Sequence, residues 1–388
     1  MRPESASRFE ALEAQAETIM AVFRAAGYER VAPAILQPAG VFLDRVGEDI
    51  RSRTYVFTDL DGEELCLRPD LTVPVCRIYL DRDPQAAAPA RYAYNGPAFR
   101  YQAGAPNPLR PREFRQAGIE SFGEADALSA DIGVFATTWD AMRAAGLSSA
   151  AITIGDVGLF RALVRAMPIA DWRRNRLLGA FWRGDALPRL LSRMTEPHAA
   201  ARTDLAPVLD RIDPDAPEKA ADVLREHLDQ TGAPFIGART AEEIAARLVI
   251  IKADMAEPPL PAAYAEALRA YLAFAAPANE AAGRIAALAR AAGLDVSHAA
   301  EALEARVDAL TAAGFSGLTF SSDLGRRFEY YTGFVFEMAA AEENPPPALA
   351  SGGRYDGLLA ALGAPCVIPA VGAAIHTERL LAAVKGAP

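Results

Sequence analysis

A long helical block between two strand-rich stretches is the feature that most constrains the fold of this chain. Between about residues 165 and 305, alanine, leucine, arginine and glutamate dominate, and apolar residues recur at helical spacing, as in NEAAGRIAALARAAG. Strand-like runs precede this block and return from about residue 306 to 388. A sheet that is interrupted and then resumed predicts an α+β core domain over residues 1–165 and 306–388, with a helical insertion domain over residues 166–305.

Local patterns place the elements of the core. An amphipathic helix is predicted over about residues 5–26, and GYERVAPAIL after it reads as a strand with Pro33 at its edge. Pro69 and Asp70 provide a helix start before LTVPVCRIYL. RYAYNGPAFRYQ and PREFRQAGIESFG predict a long hairpin, followed by a helix over about 126–144 and a strand at AITIG. Later strands are predicted at SGLTFSSDL, GFVFEMA and CVIPAVGAAI, before a short terminal helix.

Composition narrows the class of protein. The 388 residues are 51% hydrophobic, which is enough for a large buried core. The three cysteines, Cys66, Cys76 and Cys366, have no CxxC spacing, so they indicate neither a disulfide framework nor a zinc site. The acidic N-terminus lacks the apolar segment of a secretory signal, so we expect a cytoplasmic protein. We also expect neither a metal nor a cofactor. The net charge of −10 and the absence of a lysine run argue against binding to a nucleic-acid backbone.

Polar side chains share one face of the strand EFRQAGIESF. Because side chains alternate along a strand, Gln116, Gly118 and Glu120 lie on the same side of the sheet. The glycine between the two polar residues leaves room for a ligand to lie against the sheet. Alternatively, Glu120 is a surface carboxylate on the solvent side of an antiparallel sheet.

The stretch RRFEYYTGFVFE, residues 326–337, adds a cation and two phenols at the start of a predicted strand. Arg326 can hold a carboxylate in a bidentate fork, and Tyr330 and Tyr331 offer hydroxyls beside apolar ring faces. Alternatively, the tyrosine pair belongs to the core and its rim. Combined with Asp70, Thr72, Gln116 and Glu120, these residues describe a site for a zwitterion with a polar side chain.

Six motifs in order give the chain a family resemblance. Over nearly its whole length it resembles the class II histidyl-tRNA synthetase core, in RPDLT (68–72), GPAFR (96–100), FRQAGIESFG (114–123), YYTGFVFE (330–337), GGRYDGL (352–358) and ERLL (378–381). GYERVAPAIL resembles the first class II motif, with Pro33 as its proline, and this implies a homodimer interface there. GPAFRYQ through ESFG resembles the second motif, and AIHTERLL resembles the third.

The resemblance implies a histidine pocket. Asp70, Thr72 and Gln116 are then expected to meet the amino group, Arg326 the carboxylate, and Glu120 with Tyr331 the imidazole. The full set of expected histidine-binding residues is Asp70, Thr72, Arg100, Gln116, Glu120, Arg326, Tyr330 and Tyr331. Arg100 and Arg379 match arginines that hold ATP phosphates in such synthetases, which implies a residual nucleotide-binding pair. Alternatively, Arg100 forms an ion pair at a strand end, and Arg379 pairs with solvent or a neighbour.

Departures from the synthetase pattern imply a protein without aminoacylation. The usual Glu-Gly-Thr is Asp70-Leu71-Thr72, and His376 replaces the glycine before the Glu-Arg pair of the third motif, where it crowds the space beside the adenine of ATP. Arg327, Phe328 and Glu329 stand where synthetases favour Gly-Leu-Asp, and the hairpin loop QAGAPNPLRP carries three prolines. The sequence also ends seven residues beyond Leu381, with no anticodon-binding domain.

A paralogous family matches this outline, namely the regulatory subunits of ATP phosphoribosyltransferase, the first enzyme of histidine biosynthesis. Membership implies a non-catalytic, histidine-sensing subunit that assembles with a short catalytic subunit, on which the transfer occurs. It also implies no tRNA partner and no membrane association. Two alternatives remain: a histidyl-tRNA synthetase-like enzyme that activates histidine with ATP, and a stand-alone binding or stress-sensing module.

Overall fold

The structure is a computed structural model, and it describes residues 5–43, 48–104, 111–196, 206–214, 216–232, 240–326, 329–340 and 348–385. The chain forms two compact units. The first comprises Met1–Leu163, Tyr271–Arg290 and Asp295–Pro388, and the second comprises Val164–Ala270 and Ala291–Leu294. No helix in the described ranges is long and apolar enough to cross a membrane.

Helices and strands alternate in the first unit, whereas the described part of the second is helical. The helices are α1 (Ala6–Ala25), α2 (Ala39–Leu43), α3 (Glu48–Arg51), α4 (Thr72–Arg82), α5 (Ala127–Ala144), α6 (Val157–Ala166), α7 (Asp171–Ala180), α8 (Ala186–Thr195), α9 (Ala206–Leu209), α10 (Ala220–Thr231), α11 (Ala241–Ala256), α12 (Ala262–Leu272), α13 (Ala278–Ala291), α14 (Ser297–Ala312), α15 (Leu358–Ala361) and α16 (Thr377–Lys385), with a 3₁₀ turn at Pro217–Lys219. The strands are β1 (Glu29–Arg30), β2 (Leu36–Pro38), β3 (Tyr55–Thr58), β4 (Glu64–Leu67), β5 (Ala90–Phe99), β6 (Glu113–Phe122), β7 (Ala151–Asp156), β8 (Ala275–Pro277), β9 (Thr319–Ser321), β10 (Phe334–Ala339), β11 (Ala348–Arg354) and β12 (Ala370–His376).

A nine-stranded sheet, in the order β1-β5-β6-β12-β11-β10-β7-β9-β8, forms the centre of the first unit. In this order, each strand from β5 through β6, β12, β11 and β10 to β7 pairs antiparallel with the next. β1 pairs parallel with β5, and β9 pairs parallel with β7. β5 and β6 are the predicted long hairpin, and each has ten residues. The strand β6 carries Gln116 and Glu120, and its neighbour β12 carries His376.

Helices cover this sheet with apolar faces. α1 buries Leu12, Ile19 and Phe23, because these residues recur at helical spacing. Ser5 accepts a hydrogen bond from the Arg8 N–H and so caps its start. α5 begins after Asp126, whose side chain accepts from the Ser129 N–H.

A buried charge network ties α5 to the sheet and to α14. Asp131 on α5 is fully buried and receives Arg354 from β11 and Arg306 from α14. Asp356 pairs with Arg354 at 2.8 Å and also accepts the Ala370 N–H at 2.9 Å. Removing either arginine leaves buried negative charge under-compensated, so this network fixes the relative positions of β11, β12 and α5.

The second unit has its own apolar core and one prominent ion-pair cluster. The core contains Val208, Leu209, Ile212, Ala220, Leu224, Ala245 and Leu248. Arg173 is almost fully buried and donates to the Asp254 carboxylate at 2.9 Å, while Arg176 pairs with the other oxygen of Asp254 at 3.1 Å. Thr240 and Glu243 form a capping box at the start of α11.

The compact units and the sequence-based domains differ mainly at the end of the helical block. The sequence assigned residues up to 305 to the insertion, whereas residues 271–290 and 295–305 fall in the first unit. The reason is β8, three residues without a strand-like pattern, which pairs with β9 and so returns the chain to the sheet before α13. Helical periodicity alone does not separate a helix that covers the sheet from a helix of the insertion.

Two strand predictions were wrong in detail. GYERVAPAIL is not continuous: β1 pairs with β5, and after Pro33 the chain passes to β2 in a separate three-stranded sheet. Tyr330 lies in a turn and Tyr331 follows it, both before β10 begins at Phe334. The partner strand β7 ends at Asp156, opposite Phe334, so residues before Phe334 have no β7 residue with which to pair.

The three-stranded sheet, in the order β2-β4-β3, has one apolar face open to solvent. The cross-strand sets Leu36–Leu67–Tyr55 and Pro38–Leu65–Phe57 lie on this face. Leu36 is 50% exposed and Phe57 41% exposed. We call these six residues the apolar sheet face. Contiguous apolar surface of this kind is typical of interaction sites.

Candidate functional site

A trough of small residues crosses the middle of the large sheet. On β12, Gly372 lies opposite Glu120 and Ala374 lies opposite Gly118 of β6. A Cβ at Gly118 would meet the Tyr94 hydroxyl, and a Cβ at Gly353 of β11 would come within 2.9 Å of the Tyr331 ring. The glycines therefore let larger polar side chains from neighbouring elements lie over the sheet surface.

A small pocket, with a cavity volume of about 30 Å³, lies over this trough. Its walls bring together six of the eight predicted histidine-binding residues: Asp70, Thr72, Arg100, Gln116, Tyr330 and Tyr331. The sequence analysis missed Ser351, Tyr355, Gly372, Ala373 and Ala374, which complete the lining. The motif GGRYDGL was singled out in the sequence, and Tyr355 is its one aromatic residue. That aromatic residue was the sequence signal by which Tyr355 could have been predicted as a pocket residue.

Two buried acceptor oxygens in this pocket lack hydrogen-bond partners among the described residues. They are Oδ2 of Asp70 and Oε1 of Gln116. The other oxygen of Asp70, Oδ1, accepts the Val73 N–H at 3.3 Å, so the start of α4 fixes the carboxylate. Burial raises the pKa of Asp70, whereas Arg100, the Val73 N–H and Arg68 oppose this shift. Buried acceptors without partners cost free energy, and a ligand with N–H donors removes that cost.

Glu120 lies behind the pocket wall and is fully buried. Its carboxylate accepts hydrogen bonds from Tyr355, which lines the pocket, and from Tyr94 at 3.1 Å. Burial raises the pKa of Glu120 to about 8, although the hydroxyls of Tyr355, Thr72 and Tyr94 lower it. The alternative of a solvent-facing surface carboxylate is therefore wrong, because the side chain is fully buried and is hydrogen-bonded by Tyr355 and Tyr94.

The two adjacent tyrosines form an aromatic wall. The ring centroid of Tyr330 lies 5.0 Å from that of Tyr331 and 5.8 Å from that of Tyr355, both in edge-to-face geometry. Burial raises the pKa of both Tyr330 and Tyr331, so both phenols are neutral at physiological pH and can donate hydrogen bonds.

The three predicted arginines occupy different places. Arg100 lines the pocket; its Nε donates to the Pro69 carbonyl at 2.8 Å and its guanidinium lies 5.0 Å from the Phe114 ring centroid. Arg326 is not among the described lining residues and pairs with Asp323 at 2.9 Å. Arg379 is also outside that lining, and its Nη1 donates to the Ala348 carbonyl at 2.9 Å. The role of Arg326 in holding a carboxylate stays a prediction, as does a nucleotide role for Arg100 and Arg379.

His376 lies at one end of the trough, directly across from Gln116. Its ring centroid is 5.4 Å from that of Phe114. Burial, together with Arg379 and Arg100, lowers the pKa of His376 well below its usual value. The imidazole is therefore neutral at physiological pH.

Some sequence departures fall outside the described residues. They include residues 105–110 of the loop QAGAPNPLRP, together with Arg327 and Phe328. Within the described ranges, no group of three or more histidine, cysteine, aspartate or glutamate side chains could hold a metal ion. Chemically, the pocket combines unpartnered acceptors, a guanidinium and phenols, which suits a small zwitterion.

Sequence comparisons match the chain to a histidyl-tRNA synthetase family model and to regulatory subunits of ATP phosphoribosyltransferase. The family model described as histidyl-tRNA synthetase matches residues 1–249 and 250–380. The ATP phosphoribosyltransferase regulatory subunit of Allorhizobium ampelinum is 36% identical over 366 residues, which cover 92% of this chain and 94% of that protein. The regulatory subunit of Mesorhizobium japonicum is 36% identical over 392 residues, which cover 98% and 100% of the two chains.

Solved structures confirm the predicted class II synthetase-like α+β fold. An ATP phosphoribosyltransferase regulatory subunit/histidyl-tRNA synthetase from Bacillus halodurans C gives a TM-score of 0.65 at 22% identity, covering 99% of this chain and 82% of that one. A histidine–tRNA ligase subunit from Alicyclobacillus acidocaldarius gives 0.62 at 25% identity, covering 100% and 96%.

Proposed function

Because the chain belongs to the family of ATP phosphoribosyltransferase regulatory subunits, we propose that it binds histidine and controls a separate catalytic subunit in the first step of histidine biosynthesis. Phosphoribosyl transfer takes place on that partner, which is a short form of the transferase. This chain contributes recognition of the end product and assembly, and it catalyses no reaction itself.

The observation that carries the histidine proposal is the pair of unpartnered oxygens on Asp70 and Gln116. An α-ammonium group has three N–H donors, and it can satisfy both oxygens and the hydroxyl of Thr72. Its positive charge also matches the carboxylate of Asp70, so the interaction is a charge-assisted hydrogen bond. Two acceptor oxygens that are buried in one pocket without donors are otherwise an unfavourable arrangement.

The other residues that line the pocket suit the carboxylate and the imidazole of histidine. Arg100 lines the same pocket and offers a cation to the α-carboxylate, with Arg326 as the second arginine proposed for this role. The imidazole then lies toward Tyr331 and Tyr330, with Glu120 accepting its N–H or acting through the hydroxyl of Tyr355. A neutral imidazole has one donor and one acceptor, and a carboxyl group beside phenols complements both.

Histidine regulates the partner only if it favours one state of the assembly over another. A coupling free energy of about 1–3 kcal/mol, equivalent to a change of about 5- to 150-fold in affinity, is sufficient for feedback. Aminoacylation is not expected, since Asp70-Leu71-Thr72 and His376 replace the synthetase pattern, and no tRNA partner is proposed.

The apolar sheet face supports a homodimer within the larger assembly. Its residue Leu36 belongs to GYERVAPAIL, the stretch that resembles the first class II motif. Packing this face against a second copy removes apolar surface from water, at about 25 cal/mol per Å². We also propose a cytoplasmic location and an insertion domain separate from the core, with the second compact unit as its structural counterpart.

The deciding experiment measures ATP phosphoribosyl transfer by the short catalytic subunit of the same organism, with and without this chain, across a histidine titration. We expect activity to rise when the chain is added and to fall as histidine accumulates. A matched assay with Asp70→Asn in the chain should keep the rise but lose most of the histidine response.

Each outcome bears on a different part of the proposal. No change in activity on adding the chain overturns the regulatory function. A rise that histidine does not alter overturns histidine sensing alone. Histidine-dependent ATP–pyrophosphate exchange by the chain on its own would instead favour an enzyme that activates histidine.

A further inference from the structure

Thr332 connects two tyrosines of the pocket wall that are distant in the sequence. It directly follows Tyr331, before β10 begins, and it is hydrogen-bonded to the residues on both sides of Tyr355. Both tyrosines line the pocket, whereas Thr332 is not among the described lining residues. An effect of Thr332 on ligand binding must therefore act through these neighbours.

Three hydrogen bonds join Thr332 to the backbone around Tyr355. The Thr332 N–H donates to the Arg354 carbonyl at 2.8 Å, and the Thr332 hydroxyl donates to the same carbonyl at 3.3 Å. The hydroxyl also accepts the Asp356 N–H at 3.0 Å. One side chain thus binds the residue before Tyr355 and the residue after it, because a hydroxyl is both a donor and an acceptor.

Strand β12 holds the same segment from another side. The Tyr355 N–H donates to the Ala370 carbonyl at 2.7 Å, and the Ala370 N–H donates to the Asp356 carboxylate at 2.9 Å. The backbone of Tyr355 is therefore held between β12 and the segment that carries Tyr331. Because the Tyr355 hydroxyl lies at the far end of its ring, a small backbone rotation displaces the hydroxyl further than it displaces the Cα atom.

The position of this hydroxyl matters because it donates to the buried carboxyl group of Glu120. The Tyr330 ring contacts the rings of both Tyr331 and Tyr355, at centroid distances of 5.0 Å and 5.8 Å. A shift of Tyr355 would therefore also disturb the aromatic wall. Since the cavity is only about 30 Å³, such a shift changes a large share of the space that a ligand meets.

We infer that Thr332 is a positioning residue for histidine: its hydroxyl joins the segment of Tyr331 to that of Tyr355 and so holds the Tyr355 hydroxyl on Glu120. The inference rests on the proposed histidine pocket and adds a residue outside the described pocket lining that determines affinity. Thr332→Val keeps the shape of the side chain but removes both of its hydrogen bonds and takes this acceptor from the Asp356 N–H.

Calorimetric titration of histidine into the full-length wild type, Thr332→Val and Thr332→Ser tests this role. Thr332→Val should raise the Kd for histidine about fivefold or more, equivalent to the net loss of one hydrogen bond. Thr332→Ser keeps the hydroxyl and should bind histidine as the wild type does. Thr311→Val on α14 is the matched control: the Thr311 hydroxyl also donates to a carbonyl, that of Val307 at 2.8 Å, and its loss should leave histidine affinity unchanged.

A double-mutant cycle with Tyr355→Phe shows whether Thr332 acts through the Tyr355 hydroxyl. Tyr355→Phe should itself weaken histidine binding, and adding Thr332→Val to it should weaken binding little further, because groups that act through one contact are not additive. A purely structural role would instead give the same fold-change in both backgrounds, and that result overturns the inference.

Urea denaturation establishes that each variant is folded, and Thr332→Ala is the second variant if the valine protein is not. A folded Thr332→Val protein that binds histidine as tightly as the wild type overturns the inference and leaves the proposed pocket intact. Failure of Thr332→Ser to retain histidine affinity also overturns it. A wild type that binds no histidine overturns the proposed pocket and this inference together.

Discussion

The carboxylate of Glu120 lies across Gly372, so closely that a Cβ at position 372 would overlap its Oε2 atom. The two residues face each other on adjacent antiparallel strands, β6 and β12. This contact lets Glu120 lie flat on the sheet while it accepts hydrogen bonds from Tyr355 and Tyr94. The glycine therefore determines where the buried carboxylate sits and how much space remains above it.

Gly372→Ala should displace this carboxylate. We expect the free energy of unfolding to fall by about 1–3 kcal/mol, typical of an overpacked core, and histidine affinity to fall at least tenfold. Urea denaturation and calorimetry measure the two effects. Gly283→Ala on α13 is the matched control: nothing lies within 4 Å of its new methyl group, and it should stabilise the helix by about 0.4–1 kcal/mol. Equal stability of the two variants would contradict the prediction.

The titration of Glu120 should appear in the pH dependence of stability. Its pKa is about 8 in the folded protein and 4.5 in the reference state, so between these values the folded state holds a proton that the unfolded state releases. The contribution of Glu120 to the free energy of unfolding is therefore fully present below pH 4.5 and is lost as the pH rises to about 8. The loss is up to about 1.4 kcal/mol per pH unit.

Glu120→Gln lacks this titration. The free energy of unfolding of the wild type minus that of the variant should therefore decrease from pH 5 to pH 8. A constant difference caused by the amide itself does not change this trend. Urea denaturation of both proteins at each pH gives this difference. A difference that stays constant or grows with pH would show that Glu120 is ionised in the fold.

Asp70→Asn should weaken histidine binding without weakening the fold. The amide keeps an acceptor for the Val73 N–H but removes the charge that faces the ligand ammonium. We expect a loss of about 1.5–3 kcal/mol in binding, or about 10- to 150-fold in Kd. The unliganded variant should be no less stable, because burial disfavours the charged form of Asp70. Calorimetry and thermal unfolding test both statements, with exposed Asp308→Asn as the control; an unchanged Kd would remove Asp70 from the site.

Phe57→Asp should prevent dimer formation through the apolar sheet face. A carboxylate there cannot be buried against a second copy without a large desolvation cost. Light scattering at micromolar concentration should give a dimer mass for wild type and a monomer mass for the variant. Val367→Asp, at an apolar residue that is 65% exposed outside this sheet, should remain dimeric. A monomeric wild type, or a dimeric Phe57→Asp, would contradict the proposed interface.

Local patterns predicted the regular elements with the longest repeats. α1, α5, β5 and β6 were all predicted, and each is ten residues or longer. The short strand β8 and the turn around Tyr330 escaped prediction. Both depend on which neighbouring strand is available for pairing, and three or four residues carry too little pattern to show it.

The sequence by itself determined the chemistry available to this protein: an α+β core, a helical block, and a set of residues that includes Asp70, Arg100 and Gln116. Only the tertiary structure decided which of them meet. It placed six predicted residues in one pocket, buried Glu120 behind Tyr355, and left Arg326 paired with Asp323. The reason is physical: type and spacing fix what a side chain can do, whereas burial, pKa and partners arise from strands and helices that are distant along the chain.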